Sequence, residues 1–193
     1  MASSFSTSLK FEKMTTGEKA GLWGTTTNTN LDMVEQAVGG YVELSLASGN
    51  QTPAISDGAT SDGRNKVIKL TGTMTANRSL IFPDSCEKTY LVIDGTTRST
   101  NHYTITVKTS SGTGVTMPVG STMLVIVDGT NVITGITERG FISTSNAYTA
   151  VNHDQVIVDT SSAAVTVTLP ASPAVGNEVH FIDGKQIGRA SCR

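Results

Sequence analysis

The residues predict a mainly β protein: antiparallel β-sandwich or small-barrel modules preceded by a short N-terminal helix. Three observations lead there. From residue 41 onward Thr alternates with Val or Ile, as in NKVIKLTGTMT (65–75) and AVTVTLP (164–170), the period-2 pattern of a strand with one face in a core. Asp-Gly follows an apolar run at 94–95 and at 128–129, where a type I′ hairpin turn fits. Helical spacing occurs convincingly only within GLWGTTTNTNLDMVEQAVGG (21–40), which also holds the single tryptophan, Trp23.

The helix comes first. Thr29 with Asp32 three residues on resembles a capping box, and Asn30 is an alternative cap. Leu31, Val34 and Val38 recur at helical spacing, and Met33 and Ala37 widen the apolar stripe. Gly39-Gly40 ends it, because glycine accepts the left-handed conformation of a helix C-cap. A helix of about ten residues is marginal alone, so it must dock on its own β module or on a neighbouring subunit.

Strands follow at YVELSLA (41–47), 65–75, SLIF (79–82), TYLVID (89–94), HYTITVK (102–108), VTM (115–117), TMLVIV (122–127) and NVITGI (131–136). The polar run 48–65 between the first two carries turn signals. The same idiom returns at AYTAV, QVIVDT (155–160), 164–170 and EVHFIDG (178–184). Segments 79–95, 115–129 and 165–184 share one plan: an alternating strand ending at proline, a polar crossing, then an apolar strand ending in Asp-Gly. Their spacing is irregular, which favours a reused hairpin in an antiparallel sandwich or barrel over a solenoid. The expected organisation is an attachment segment at 1–40, a first β module at 41–137 and a second, incomplete one at 138–185.

Residues 186–193, QIGRASCR, carry neither period and read as a translated sequencing adapter. The expectation is therefore a truncated fragment from an environmental library, with Cys192 foreign to the protein. Cys86 is then a lone thiol, read as a small buried hydrophobe.

Composition narrows the function classes. Charged residues are 16%, against a usual quarter, and Thr, Ser, Gly and Asn fill the deficit. A net charge of −2 and a pI near 5.9 give a phosphate backbone little to hold, so no nucleic-acid partner is expected. MLVIV (123–127) is too short to span a bilayer and the N-terminus lacks a signal-peptide apolar region, so synthesis in a cytoplasm without membrane insertion is expected.

Motifs for chemistry are missing. His102, His153 and His180 are scattered, and neither H-x-x-x-H nor C-x-x-C occurs. SDGATSDGRN, with Asp57 and Asp62, lacks the terminal glutamate of a calcium loop. Glu87, Asp94 and Asp128 could form a carboxylate pair, but the two aspartates already serve turns. Asn50 and Asn77 open Asn-x-Ser/Thr sites that matter only in a secretory pathway. No catalytic, cofactor-binding or metal-ligating residue is expected, and no enzyme activity.

The N-terminal 38 residues resemble the N-terminal segment of tail-fibre and related virion structural proteins of tailed bacteriophages, especially marine ones. The pattern is a polar start, a G-x-W-G-x-x-x-N-x-N-L block and a short acidic-apolar helix, here Gly21, Trp23, Gly24, Asn28, Asn30 and Leu31. Stretches 106–132 and 157–184 are similar to β modules that recur in such proteins. The resemblance implies a virion component, a tail fibre or a tail- or neck-attached protein, that acts in assembly and touches the host surface. It implies a homo-oligomer, commonly a trimer, among other virion proteins, and a host cell-surface glycan as a further partner. Trp23, Leu31, Val34 and Val38 are the expected docking residues, since aromatic anchors concentrate binding energy at interfaces. The alternative is that Trp23 and the helix merely cover an open end of the first β module. A second reading of the whole chain is a free-standing carbohydrate-binding or adhesin module, which needs an accessible aromatic platform; Tyr90, Tyr103 and Tyr148 are the few candidates, and Tyr90 and Tyr103 sit in alternating strands where core or sheet packing fits equally well. A tail-spike depolymerase would need an active site beyond the truncation.

Overall fold

The computed structural model describes residues 3–98, 103–138 and 141–184. Two compact units divide the chain, one holding Met1–Met117 with Thr122–Thr137 and the other Pro118–Ser121 with Glu138–Arg193.

The first unit begins with a small antiparallel pair, β1 (Ser4–Phe5) and β2 (Glu12–Lys13), then helix α1 (Trp23–Gly39) and β3 (Tyr41–Ser45). Two three-sided coils follow: β4 (Val67–Thr71), β5 (Thr73–Met74), β6 (Arg78–Phe82), and then β7 (Glu87–Asp94), β8 (Thr97–Arg98), β9 (Ile105–Thr109). Matching sides stack in parallel. Tyr41 pairs with Val67, 26 residues on, and Val67 with Leu91, 24 on. Thr73 pairs with Thr97 and Arg78 with Ile105, 24 and 27 residues on. This is a β-solenoid, and it overturns the sandwich or barrel expected above. Alternation shows which side chains face the core; it is silent on whether the neighbouring strand runs with or against. Parallel strands need a crossover of a dozen residues or more, and here a whole coil supplies it.

The winding then reverses. β10 (Gly114–Met117) runs antiparallel to β9, and β11 (Thr122–Asp128) antiparallel to β7 over seven in-register pairs. β12 (Val132–Glu138) lies beside β11, giving the sheet order β12-β11-β7-β4-β3. Of the two predicted Asp-Gly hairpins, only Asp128-Gly129 turns one. Asp128 Oδ1 accepts the N–H groups of Thr130 (2.9 Å) and Asn131 (2.6 Å), and Gly129 has φ +90°. Asp94-Gly95 is instead a corner of the coil between β7 and β8. There Asp94 accepts Thr96 N–H at 3.0 Å and pairs with Arg98 at 2.8 Å.

Inward residues of both sheets build one core that includes Leu70, Leu80, Phe82, Tyr90, Val92, Ile105, Val107, Met123 and Val125. Each such side chain stabilises by about 1.5–3 kcal/mol when fully buried. Phe82 and Tyr90 stack with ring centroids 4.1 Å apart.

The second unit repeats the principle on a smaller scale. β13 (Phe141–Thr144), β15 (Gln155–Val158) and β17 (His180–Asp183) form one parallel sheet, and β14 (Tyr148–Thr149) pairs in parallel with β16 (Val167–Thr168). Its core is Tyr148, Ala150, Val156 and Val158. Asp154 Oδ2 ties it down, accepting Tyr148 Oη–H at 2.7 Å and Val151 N–H at 2.8 Å. Phe181, in register with buried Val156, is 61% exposed and lines an open cavity of about 340 Å³ with Val158, Val165, Val167 and Leu169.

Candidate docking face on the N-terminal helix

Helix α1 has 17 residues, starting six residues before the expected cap at Thr29. Its first five residues include Thr25, Thr26 and Thr27, β-branched residues of low helix propensity that read as a loop. Neither predicted cap caps. Thr29 Oγ1–H donates to Thr25 O at 3.0 Å within the helix, and Asn30 turns outward to the backbone of β2. The C-terminus also differs from expectation. Gly40 is extended (φ −65°, ψ 146°) rather than left-handed. It is needed for closeness, since a Cβ there would lie 2.4 Å from both Asn65 Oδ1 and Gln36 O.

At about 100° per residue, Trp23, Leu31, Val34 and Val38 fall within an arc of about 80°. All four are exposed: 62%, 60%, 42% and 73%. Thr26 and Met33, on the flank of that arc, are the buried residues of the helix. Leu31, Val34 and Val38 thus share one bare face, which Trp23 joins, whereas Met33, expected to widen the stripe, turns away from it and is buried.

The rest of the helix is held firmly. Glu12 N–H donates to Asn30 Oδ1 (3.0 Å) and Asn30 Nδ2–H donates to Glu12 O (2.8 Å). The Lys19 ammonium, 2.8 Å away, holds the Glu12 carboxyl below its ordinary range. Gln36 Oε1 accepts Ser61 N–H at 3.2 Å and Arg64 Nη1–H at 3.5 Å.

Arg64, within the turn-rich run 48–65, is the centre of this region. It is fully buried, donating to Leu9 O (3.1 Å), Ala59 O (2.5 Å), Ser56 O (2.7 Å) and Ser61 Oγ (3.1 Å). The Lys88 amine donates to Arg64 O (2.6 Å) and Asn65 O (2.7 Å) and lies 4.2 Å from the Tyr90 ring centre. Burial, with lesser repulsion from Lys66 and Arg64, pushes its pKa down to about 8. Burial raises the Cys86 thiol and raises Tyr90 far above the ordinary phenol range. Cys86 Sγ sits 3.3 Å from Tyr90 Oη in the core, as expected of a buried hydrophobe.

The other singled-out residues lie elsewhere. Asp57 faces Lys10 at 3.9 Å, and Asp62 opens a short 3-10 turn, Asp62–Arg64. Asp94 is buried against Arg98, Asp128 caps its turn and Glu87 is exposed at the start of β7. His153 Nδ1 and His180 Nε2, read as scattered, each face one oxygen of Glu178, at 3.7 and 3.5 Å. Among the described residues no group of three His, Cys, Asp or Glu side chains could hold a metal ion. Tyr90 and Tyr148 are core residues, and Tyr103 packs against the first core. His102 and residues 185–193, including Cys192, lie outside the described residues.

None of the protein families, curated proteins or solved structures compared with the chain matches it.

Proposed function

We propose that the chain is a structural component of a tailed-phage virion, a tail fibre or a tail- or neck-attached protein, that works in particle assembly and host-surface contact. The observation that carries this is the orientation of α1. One side is clamped to its own unit through Asn30, Met33 and Gln36, while Trp23, Leu31, Val34 and Val38 point away from it. An apolar stripe with a tryptophan at its tip fits an apolar groove on another virion protein, as an amphipathic helix does. The G-x-W-G-x-x-x-N-x-N-L block supports the phage assignment, and the structure gives it physical sense: Trp23 and Leu31 lie on the bare face and Asn30 on the clamp. Among the described residues no helix is long and apolar enough to cross a membrane. The adhesin alternative loses support because Tyr90, Tyr103 and Tyr148 are engaged in packing and none stands free as a sugar platform.

The test is immunogold labelling, with antibody to this chain, of phage particles from a host carrying the gene. Label at the tail or neck, lost in a Trp23→Ala phage whose protein still folds, supports the reading. Label found only in the soluble lysate overturns it.

A further inference from the structure

The five-stranded sheet of the first unit is apolar on its inner face and carries an apolar stripe, flanked by polar rows, on its outer face. Inward it gives Ile68, Leu70, Val92, Met123 and Val125 to the core. Outward, Leu124, Leu91, Val67 and Tyr41 stand opposite one another on β11, β7, β4 and β3, forming one continuous row. Ile93 lies in the adjoining row, and Ile126 and Ile133 beyond the other side are 42% and 50% exposed. The unit's second sheet is different. One outward row there is Ser79, Thr106 and Thr116, all hydroxyl-bearing, and the next is Ile81, Lys108 and Gly114, with a single large apolar side chain.

A strand with one wet face alternates, whereas a strand covered on both faces reads as a continuous apolar run. YLVI (90–93) and MLVIV (123–127) are of the second kind. Yet their outward residues Leu91, Ile93, Leu124 and Ile126 are outside the core cluster.

We propose that this face pairs, sheet on sheet, with the same face of a second copy of the chain. Charge selects the occupant. Across the rows through Thr89, Leu91 and Ile93 the charged residues are Glu43 and Lys69, already bonded to each other at 3.1 Å, with Tyr41 Oη–H donating to the same Glu43 oxygen at 2.5 Å. The patch is neutral, so a copy of it adds no unpaired charge and a charged partner finds nothing to complement. Glu87 and Asp128, opposite one another one row beyond, form a polar rim. Two such sheets pack about 10 Å apart with their strands nearly aligned. Five strands about 4.8 Å apart and about five residues long make a patch of about 400 Å² per copy. About 800 Å² for the pair is at the low end for a specific contact. The association is thus reversible and concentration-dependent. It goes beyond the virion reading and does not depend on it.

Sedimentation velocity of the full chain, from low to high micromolar concentration, tests this. The wild type should pass from monomer to dimer, and the Leu124→Lys/Ile126→Lys variant should stay monomeric throughout with an unchanged circular dichroism spectrum. Should that variant misfold, Tyr41→Lys, at a 53% exposed position on the far strand, should weaken the dimer at least tenfold. A wild type that stays monomeric, a dimer indifferent to these changes, or one abolished by Trp23→Ala alone would overturn the proposal.

Discussion

Asn30 and Glu12, 18 residues apart, are joined by a reciprocal pair of hydrogen bonds, with the Asn30 amide both accepting from and donating to the Glu12 backbone. One side chain thereby completes the edge of β2 and fixes the helix against it. Asn30→Ala should cost about 1–2 kcal/mol, the usual loss for two such bonds partly replaced by water. Hydrogen exchange of amides 3–13 should accelerate while that of β7 and β11 stays unchanged; equal acceleration throughout would refute a local clamp.

Arg64 is bound by carbonyls and a hydroxyl and not by a carboxylate. Lysine keeps the charge but cannot present donors in a planar fork. Arg64→Lys should therefore lower stability by about 3 kcal/mol, through backbone carbonyls left without partners. Urea denaturation would show it as a lower midpoint, and a midpoint unchanged from wild type would contradict the assignment.

Lys88 makes stability depend on alkaline pH. Its pKa falls from 10.5 to about 8 on folding, so between those values the unfolded chain binds a proton that the folded chain lacks, and stability rises with pH. Cys86 and Tyr90 act oppositely. Their folded pKa values are raised, so their contribution is present below the ordinary values of 9.0 and 10.0 and is lost above them. The net rise is confined to about pH 8–9, a window framed by those shifts. Thermal midpoints should climb across it in the wild type and remain flat in Lys88→Met.

Asp94 and Arg98 form an ion pair in which the aspartate side chain is fully buried and the arginine nearly so. Asp94→Asn keeps an acceptor for Thr96 but strands the guanidinium, a loss of about 3–5 kcal/mol. Adding Arg98→Met should recover part of it, and a double-mutant cycle measures the coupling. Strictly additive effects would mean that the two charges do not cooperate.

Much of the local structure was legible in the residues. Strands at 79–82, 89–94 and 122–127 lie within β6, β7 and β11, and the Asp128 hairpin is present. The stacking direction was not legible, because alternation is common to sandwiches and solenoids. The coil repeat that would have revealed it is blurred by corners of unequal length, from 27 residues between Arg78 and Ile105 to 14 between Phe141 and Gln155. The Leu31, Val34 and Val38 stripe follows from helical spacing alone, but the helix start, which brings Trp23 onto the same face, does not, since three consecutive threonines hide it. Arg64 left no trace in any period. A buried arginine satisfied by carbonyls from residues 9, 56 and 59 is a product of tertiary structure, with no local pattern to mark it.

The Arg64 knot has a consequence for synthesis. Gln36 on the helix binds Arg64, Lys88 binds the Arg64 and Asn65 carbonyls, and Ser8 exchanges two hydrogen bonds with Glu87. The seat of the helix thus draws on residues of the second coil, and a nascent chain that has not reached Lys88 lacks part of it. Seating of the helix is thereby linked to the formation of β7.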